Sequence, residues 1–129
     1  MIEDIKKVLL VDDDQNIRFV AQMTLEGLTK WKIVAADSGK AAIEIAPQEK
    51  PDLIMLDVMM PEMDGPTTFM KLQENPALRG IPVIFMTAKI QTHERENYLQ
   101  LGAAGVISKP FDPMTLPDEI GKILSTAKR

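Results

Sequence analysis

The chain has 129 residues, 45% of them hydrophobic and 26% charged, with a net charge of −4. That length supports one core and a single domain over 1–129. The acidic balance argues against a broad basic footprint for nucleic acid, and the absence of cysteine excludes disulfides and thiolate metal sites. No apolar run approaches the length of a membrane span, and MIEDIKK at the N-terminus carries no apolar core after its charges, so a cytoplasmic protein with no membrane association is expected.

In chain order, KVLLV (7–11) reads as a buried strand. From Ile17, residues Val20, Ala21, Thr24, Leu25 and Leu28 recur at helical spacing. KIVAA (32–36) is a second strand. Ser38 suits the cap of a helix that turns Ala41, Ala42 and Ile45 inward and stops near Pro47. PDLIMLD (51–57) is a third strand, and Gly65 and Pro66 open a short helix carrying Phe69 and Leu72. IPVIFMT (81–87) is a fourth strand, followed by a polar helix over 91–101. AGVIS (104–108) is a fifth, and Leu116, Ile120, Ile123 and Leu124 give the last helix its inner face. Strand and helix alternate five times, which predicts a parallel sheet covered by helices on both faces. Strands such as LIMLD and VIFMT are apolar throughout, as strands buried on both sides should be.

Ligands of open parallel sheets bind outside the carboxyl ends of the strands. The residues there are Asp12, Asp13 and Asp14 after the first strand, Asp57 after the third, Thr87 after the fourth and Lys109 after the fifth. Neighbouring carboxylates repel by roughly 3 kcal/mol per pair at about 5 Å and an effective dielectric near 20. Water or a cation must offset this. Asp12, Asp13 and Asp57 suit an oxygen-coordinated divalent ion, Mg²⁺ by preference, which also accepts phosphate oxygens as ligands. Asp14 is read as a helix cap with no metal role.

The succession VDDD, LIMLDVMMPEMDG, VIFMTA and GVISKPF, spread from Lys6 to the final helix, resembles the receiver domain of two-component response regulators, in its single-domain, chemotaxis-regulator-like form. The resemblance implies a doubly wound, flavodoxin-like α/β fold with a five-stranded parallel sheet of order 2-1-3-4-5. It implies that Asp57 is the phosphorylated nucleophile, and that Asp12 and Asp13 hold Mg²⁺, with ligation by one of them through water left open. The carbonyl of Met59 adds a metal ligand, Thr87 bonds the phosphoryl oxygen, and Lys109 pairs with the acceptor and then with the phosphoryl group. A cis bond between Lys109 and Pro110 is common in the family. The donor implied is a phosphohistidine on a sensor histidine kinase or histidine phosphotransfer protein. The only catalysis implied is the chain's own phosphoryl transfer and autodephosphorylation. A downstream protein would be met on the 91–127 face. The chain is then either a stand-alone regulator or the receiver portion of a longer protein.

Three positions bear on how the family pattern runs here. Val106 stands where relatives carry a switching Tyr or Phe, so the phosphorylated state is expected to be read through the loop after Thr87 and the 91–101 helix. Met59 and Lys89 occupy positions that influence phosphoryl lifetime. Met59 cannot orient a water by hydrogen bonding, and Lys89 could add a stabilising charge. His93, the single histidine, reads as a surface residue rather than a donor. Competing motifs fail. A calcium loop from DDDQN would place Ile17 where glycine is required. An aspartyl phosphatase would want Thr or Val at Asn16, and the acidic loops would repel a flavin phosphate.

Overall fold

The computed structural model describes residues 5–88 and 92–127. Five strands, β1 (Lys7–Val11), β2 (Lys32–Ala36), β3 (Leu53–Asp57), β4 (Val83–Thr87) and β5 (Gly105–Ser108), form one parallel sheet in the order β2-β1-β3-β4-β5. The helices are α1 (Gln15–Leu28), α2 (Gly39–Glu49), α3 (Gly65–Gln73), α4 (Thr92–Leu101) and α5 (Leu116–Ala127). The parallel sheet is that expected from the alternation, and its order is the flavodoxin-like one that the resemblance implies. Strands three and four are shorter than their sequence runs, beginning two residues later, past Pro51 and Pro82. Residue 91, the first of the expected 91–101 helix, lies outside the described residues.

Side-chain alternation along the strands divides the core in two. Leu9, Val11, Ile54, Leu56 and Phe85 face one side, where they meet Ala42 and Ala46 of α2 and Phe69 and Leu72 of α3. Leu10, Met55, Ile84 and Met86 face the other, against Ala21 and Leu25 of α1 and Leu116, Ile120 and Leu124 of α5. Trp31 is buried on that second side, just before β2. Each fully buried Leu, Ile or Phe contributes roughly 1.5–3 kcal/mol, and the central strands bury side chains on both faces, so the sheet is the rigid part of the molecule. Among the described residues no helix is long and apolar enough to cross a membrane.

Helix starts follow local chemistry. The Asp14 carboxylate accepts from the backbone N–H groups of Asn16 and Ile17, at 2.8 and 3.2 Å, which confirms it as the cap of α1. Ser38 caps α2 by accepting from Ala41 N–H, and Asp64 caps α3 by accepting from Thr67 N–H. The expected stop near Pro47 is not observed: α2 runs through this residue to Glu49. The ring removes one N–H, but the next turn is retained by the bond from Lys50 N–H to Ala46 O at 2.9 Å, and Lys50 closes the helix with φ of 49°.

The loop after β3 folds back on itself. Gly65 N–H bonds Val58 O at 2.8 Å, and the backbone of Asp57 and Val58 presses against the Gly65 α-carbon. A β-carbon there would overlap the Asp57 carbonyl oxygen and lie 2.9 Å from Val58 Cα. Gly27, near the end of α1, has nothing within 4 Å of a built β-carbon. Gly65→Ala is therefore expected to lower stability by about 1–3 kcal/mol, as overpacking does. Gly27→Ala is expected to raise it, by up to about 1 kcal/mol, through helix propensity. Urea unfolding followed by circular dichroism checks both.

Candidate functional site

Because all five strands run the same way, their carboxyl ends open on one rim. The register pairs Asp57 with Met86 and Thr87 with Ser108, which puts the ends of β3, β4 and β5 level. Asp12 follows β1 directly and is anchored by its N–H to Ala36 O at 3.1 Å. Lys109 follows β5 and is tied to β4 by its N–H to Thr87 O at 2.8 Å. The Lys109–Pro110 bond is cis.

The ammonium of Lys109 reaches across the rim. Its Nζ lies 3.0 Å from Asp12 Oδ2 and 3.1 Å from Asp57 Oδ1. Asp12 is fully buried and Asp57 only 3% exposed, whereas Asp13 is exposed. Asp12 Oδ1 also accepts the N–H of Asp14 at 2.9 Å. Carboxylate oxygens of Asp12, Asp13 and Asp57 all come within 4.8 Å of one another. One ammonium thus contacts two of the three carboxylates, and the surroundings of Asp57 shift its acidity. Burial pushes the Asp57 carboxyl up to about 6, the negative charge of Asp12 adds to this, Lys109 opposes it by charge and hydrogen bond, and contact with Asp13 raises it further. For Lys109, burial alone would lower the pKa, but the hydrogen bond and charge of Asp12, with those of Asp57, outweigh it and hold the amine above its ordinary value. Asp57 is therefore mainly ionised at neutral pH, and the residual repulsion leaves a cluster that could hold a small cation. An all-oxygen set with one exposed member is open to a hard ion that keeps several waters, which fits Mg²⁺.

Thr87 is buried at the end of β4, on the same rim. Met59 lies two residues beyond Asp57 with its side chain 74% exposed. Val106 is buried in the core on β5, opposite Phe85. His93 is exposed on α4, as expected of a surface residue. Lys89 lies outside the described residues. One neighbour of the site escaped the sequence reading. Arg18, one turn into α1, donates from Nη1 to the backbone carbonyl of Asp12 at 2.7 Å and so braces the turn that carries Asp12 and Asp13. Its only trace in the sequence is a basic residue six positions after Asp12, which nothing distinguishes from a solvated charge.

The fold and the carboxylate-lined rim can be set beside those of known proteins. Residues 8–121 match the response regulator receiver domain, and the chain belongs to that family. It is thus a receiver domain of two-component response regulators. It is 35% identical over 119 residues to the alkaline phosphatase synthesis transcriptional regulatory protein PhoP of Bacillus subtilis, covering 92% of this chain and 48% of that protein. It is 38% identical over 112 residues to the response regulator PleD of Caulobacter vibrioides, covering 85% of this chain and 24% of that one. The chain thus spans about half or less of the length of these relatives. Among solved structures, chemotaxis protein CheY4 of Vibrio cholerae superposes with a TM-score of 0.86 at 28% identity, covering 92% of this chain and 98% of that one.

The raised Asp57 pKa predicts a pH-dependent liability. The folded state holds this proton more tightly than the unfolded chain, whose carboxyl titrates near 3.8. Stability from this group is therefore greatest below about pH 4 and falls as pH rises through 6. Asp57→Asn is expected to be more stable than the parent at pH 7.5 in a chelator, by roughly 1–3 kcal/mol, with the gap closing toward pH 4. Thermal melts followed by circular dichroism across pH measure this.

Proposed function

We propose that the chain is a phosphorylation-dependent signalling switch in which Asp57 accepts a phosphoryl group from a phosphohistidine. The observation that carries this is the Lys109 ammonium held between Asp12 and Asp57, 3.0 and 3.1 Å away, at the edge of a three-carboxylate cluster. An Asp57 oxygen attacks phosphorus in line with the bond to the donor imidazole. The P–O bond forms as the P–N bond breaks, and the imidazole departs with the bonding pair. Magnesium held by Asp12, Asp13, Asp57 and the carbonyl of Met59 would supply charge neutralisation on the transferring oxygens. Lys109 then moves its ion pair from the Asp57 carboxylate to a phosphoryl oxygen, and the Thr87 hydroxyl donates to another. The chain acts on its own aspartate and on the resulting acyl phosphate, not on a pool of substrates.

The donor is a sensor histidine kinase or a histidine phosphotransfer protein, and the cytoplasm is where we place the exchange. Support for a docking place comes from α1. Phe19, Val20 and Met23 are exposed on this helix, and a shallow apolar hollow lined by Asn16, Ile17, Val20, Lys109, Pro110 and Phe111 continues from it to the rim. A donor must reach Asp57 from outside the strand ends, so this apolar face lies on its approach. The downstream protein belongs on the 91–127 face, where Arg95, Leu99, Lys122 and Ile123 border a groove between α4 and α5.

Acetyl phosphate with Mg²⁺ is expected to add one phosphoryl group to the chain, seen by mass spectrometry. Asp57→Asn should add none, and Lys109→Ala should react about a hundredfold more slowly. Phe19→Glu should leave the acetyl phosphate reaction unchanged while slowing transfer from a histidine-phosphorylated donor protein. Repeated turnover of acetyl phosphate with no adduct would instead identify a hydrolase. Met59, which offers no hydrogen bond to an attacking water, is expected to prolong the acyl phosphate. Met59→Asn should shorten its half-life severalfold, as followed by loss of the adduct over time.

A further inference from the structure

Resting on the phosphoacceptor reading above, we infer that Tyr98 is the aromatic ring through which the state of the Asp57 rim reaches α4, in place of a ring on β5. The first observation is how lightly α4 is held. From His93 to Leu101 none of its side chains is buried, and only Glu94 and Tyr98 are half-covered. Every other helix sinks at least two residues into the core, such as Ala21 and Leu25 from α1 or Leu116 and Ile120 from α5. The ring of Tyr98 is the principal apolar anchor of α4 on the sheet.

The second observation is where that anchor sits. The Tyr98 ring lies 5.1 Å from Phe85, tilted by 51°, and Phe85 in turn meets Phe69 of α3 edge-on at 5.8 Å. Phe85 and Thr87 are two apart on β4 and so project to the same face of the sheet. Val106 pairs with Phe85 in the register and fills the neighbouring space with a short, branched side chain that has little freedom to rotate. A rearrangement at Thr87 therefore meets Phe85 and Tyr98 on this face, and on β5 it meets no ring.

The third observation concerns the ends of the lever. The hydroxyl of Tyr98 is raised in pKa by burial and by the negative charges of Glu94 and Asp64. Asp64 caps α3 directly after the loop from Asp57, so one of the charges bearing on the hydroxyl belongs to that segment. The helix is fastened behind the ring. Ala103 N–H bonds Tyr98 O at 3.1 Å, Gly102 N–H bonds Leu99 O at 3.0 Å, and Gly102 turns with φ of 118° over the edge of Phe69. A helix secured at its C-terminal end and resting on one ring is suited to pivot when that ring shifts.

Tyr98 is the only tyrosine in the chain, so fluorotyrosine incorporation gives a single fluorine NMR signal. The full chain is treated with acetyl phosphate and Mg²⁺ while mass spectrometry follows the adduct. The resonance is expected to move in proportion to adduct and to return as phosphate is lost. Thr87→Ala, which loses a contact to the phosphoryl group and so gains adduct more slowly, should show no shift per unit of adduct formed, and Thr87→Ser should restore it. An adduct on the parent chain with an unmoved resonance overturns the inference and leaves the phosphoacceptor reading standing. A shift that persists in phosphorylated Thr87→Ala overturns the proposed route. No adduct at all overturns both.

Discussion

One ammonium stands between two buried carboxylates, and the arrangement of the rim depends on it. Without Lys109, Asp12 and Asp57 would bring like charges into the end of a nearly dry sheet with only water to separate them. With it, both carboxylates are held in place, and the rise that burial and Asp12 impose on the Asp57 pKa is partly offset. The balance is incomplete because Asp13 adds a third carboxylate. That shortfall is the chemical character of the site: a structured cluster of carboxylates that could hold a divalent ion, on which the proposed phosphoryl transfer is built.

Much of this was legible in the sequence, for identifiable reasons. Apolar runs such as LIMLD and VIFMT, without alternation, announce strands covered on both faces, and five of them between helices leave little choice but a parallel sheet. Once the strands are parallel, the residues that end them must share a rim, so Asp12, Asp57, Thr87 and Lys109 could be gathered without coordinates. What could not be gathered is contact. That Lys109 touches both Asp12 and Asp57 depends on how the segment after β5 carries its side chain back over the rim, since β3 and β4 stand between β5 and β1. The bond from Arg18 to the Asp12 carbonyl depends on how the first turn of α1 leaves the sheet. Pro47 was misread because a local rule about proline competes with the packing of Ala42 and Ala46, which holds α2 against the sheet for another turn.

Tyr98 illustrates a different limit. On a helix as polar as α4 a lone aromatic carries no periodic signal, and its significance appears only when Phe85 is seen beneath it. Val106 was the visible half of the same fact: a small residue where a ring would otherwise stand. The other half lay eight positions earlier, on an element that the strand pattern does not describe.

The two sides of the sheet are served by different helices, α1 and α5 on one and α2 and α3, with the Tyr98 ring of α4, on the other. The apolar stripe of α1 and the Tyr98 ring of α4 therefore lie on opposite faces of the sheet, while α5 packs beside α1 and also borders the groove next to α4. A protein seated on the α1 stripe would have α5 as its neighbour, and so would one seated in that groove. On the proposed reading, α5 is the element on which the entrance and the exit of the signal would meet, so crowding there would set whether they are used together or by turns.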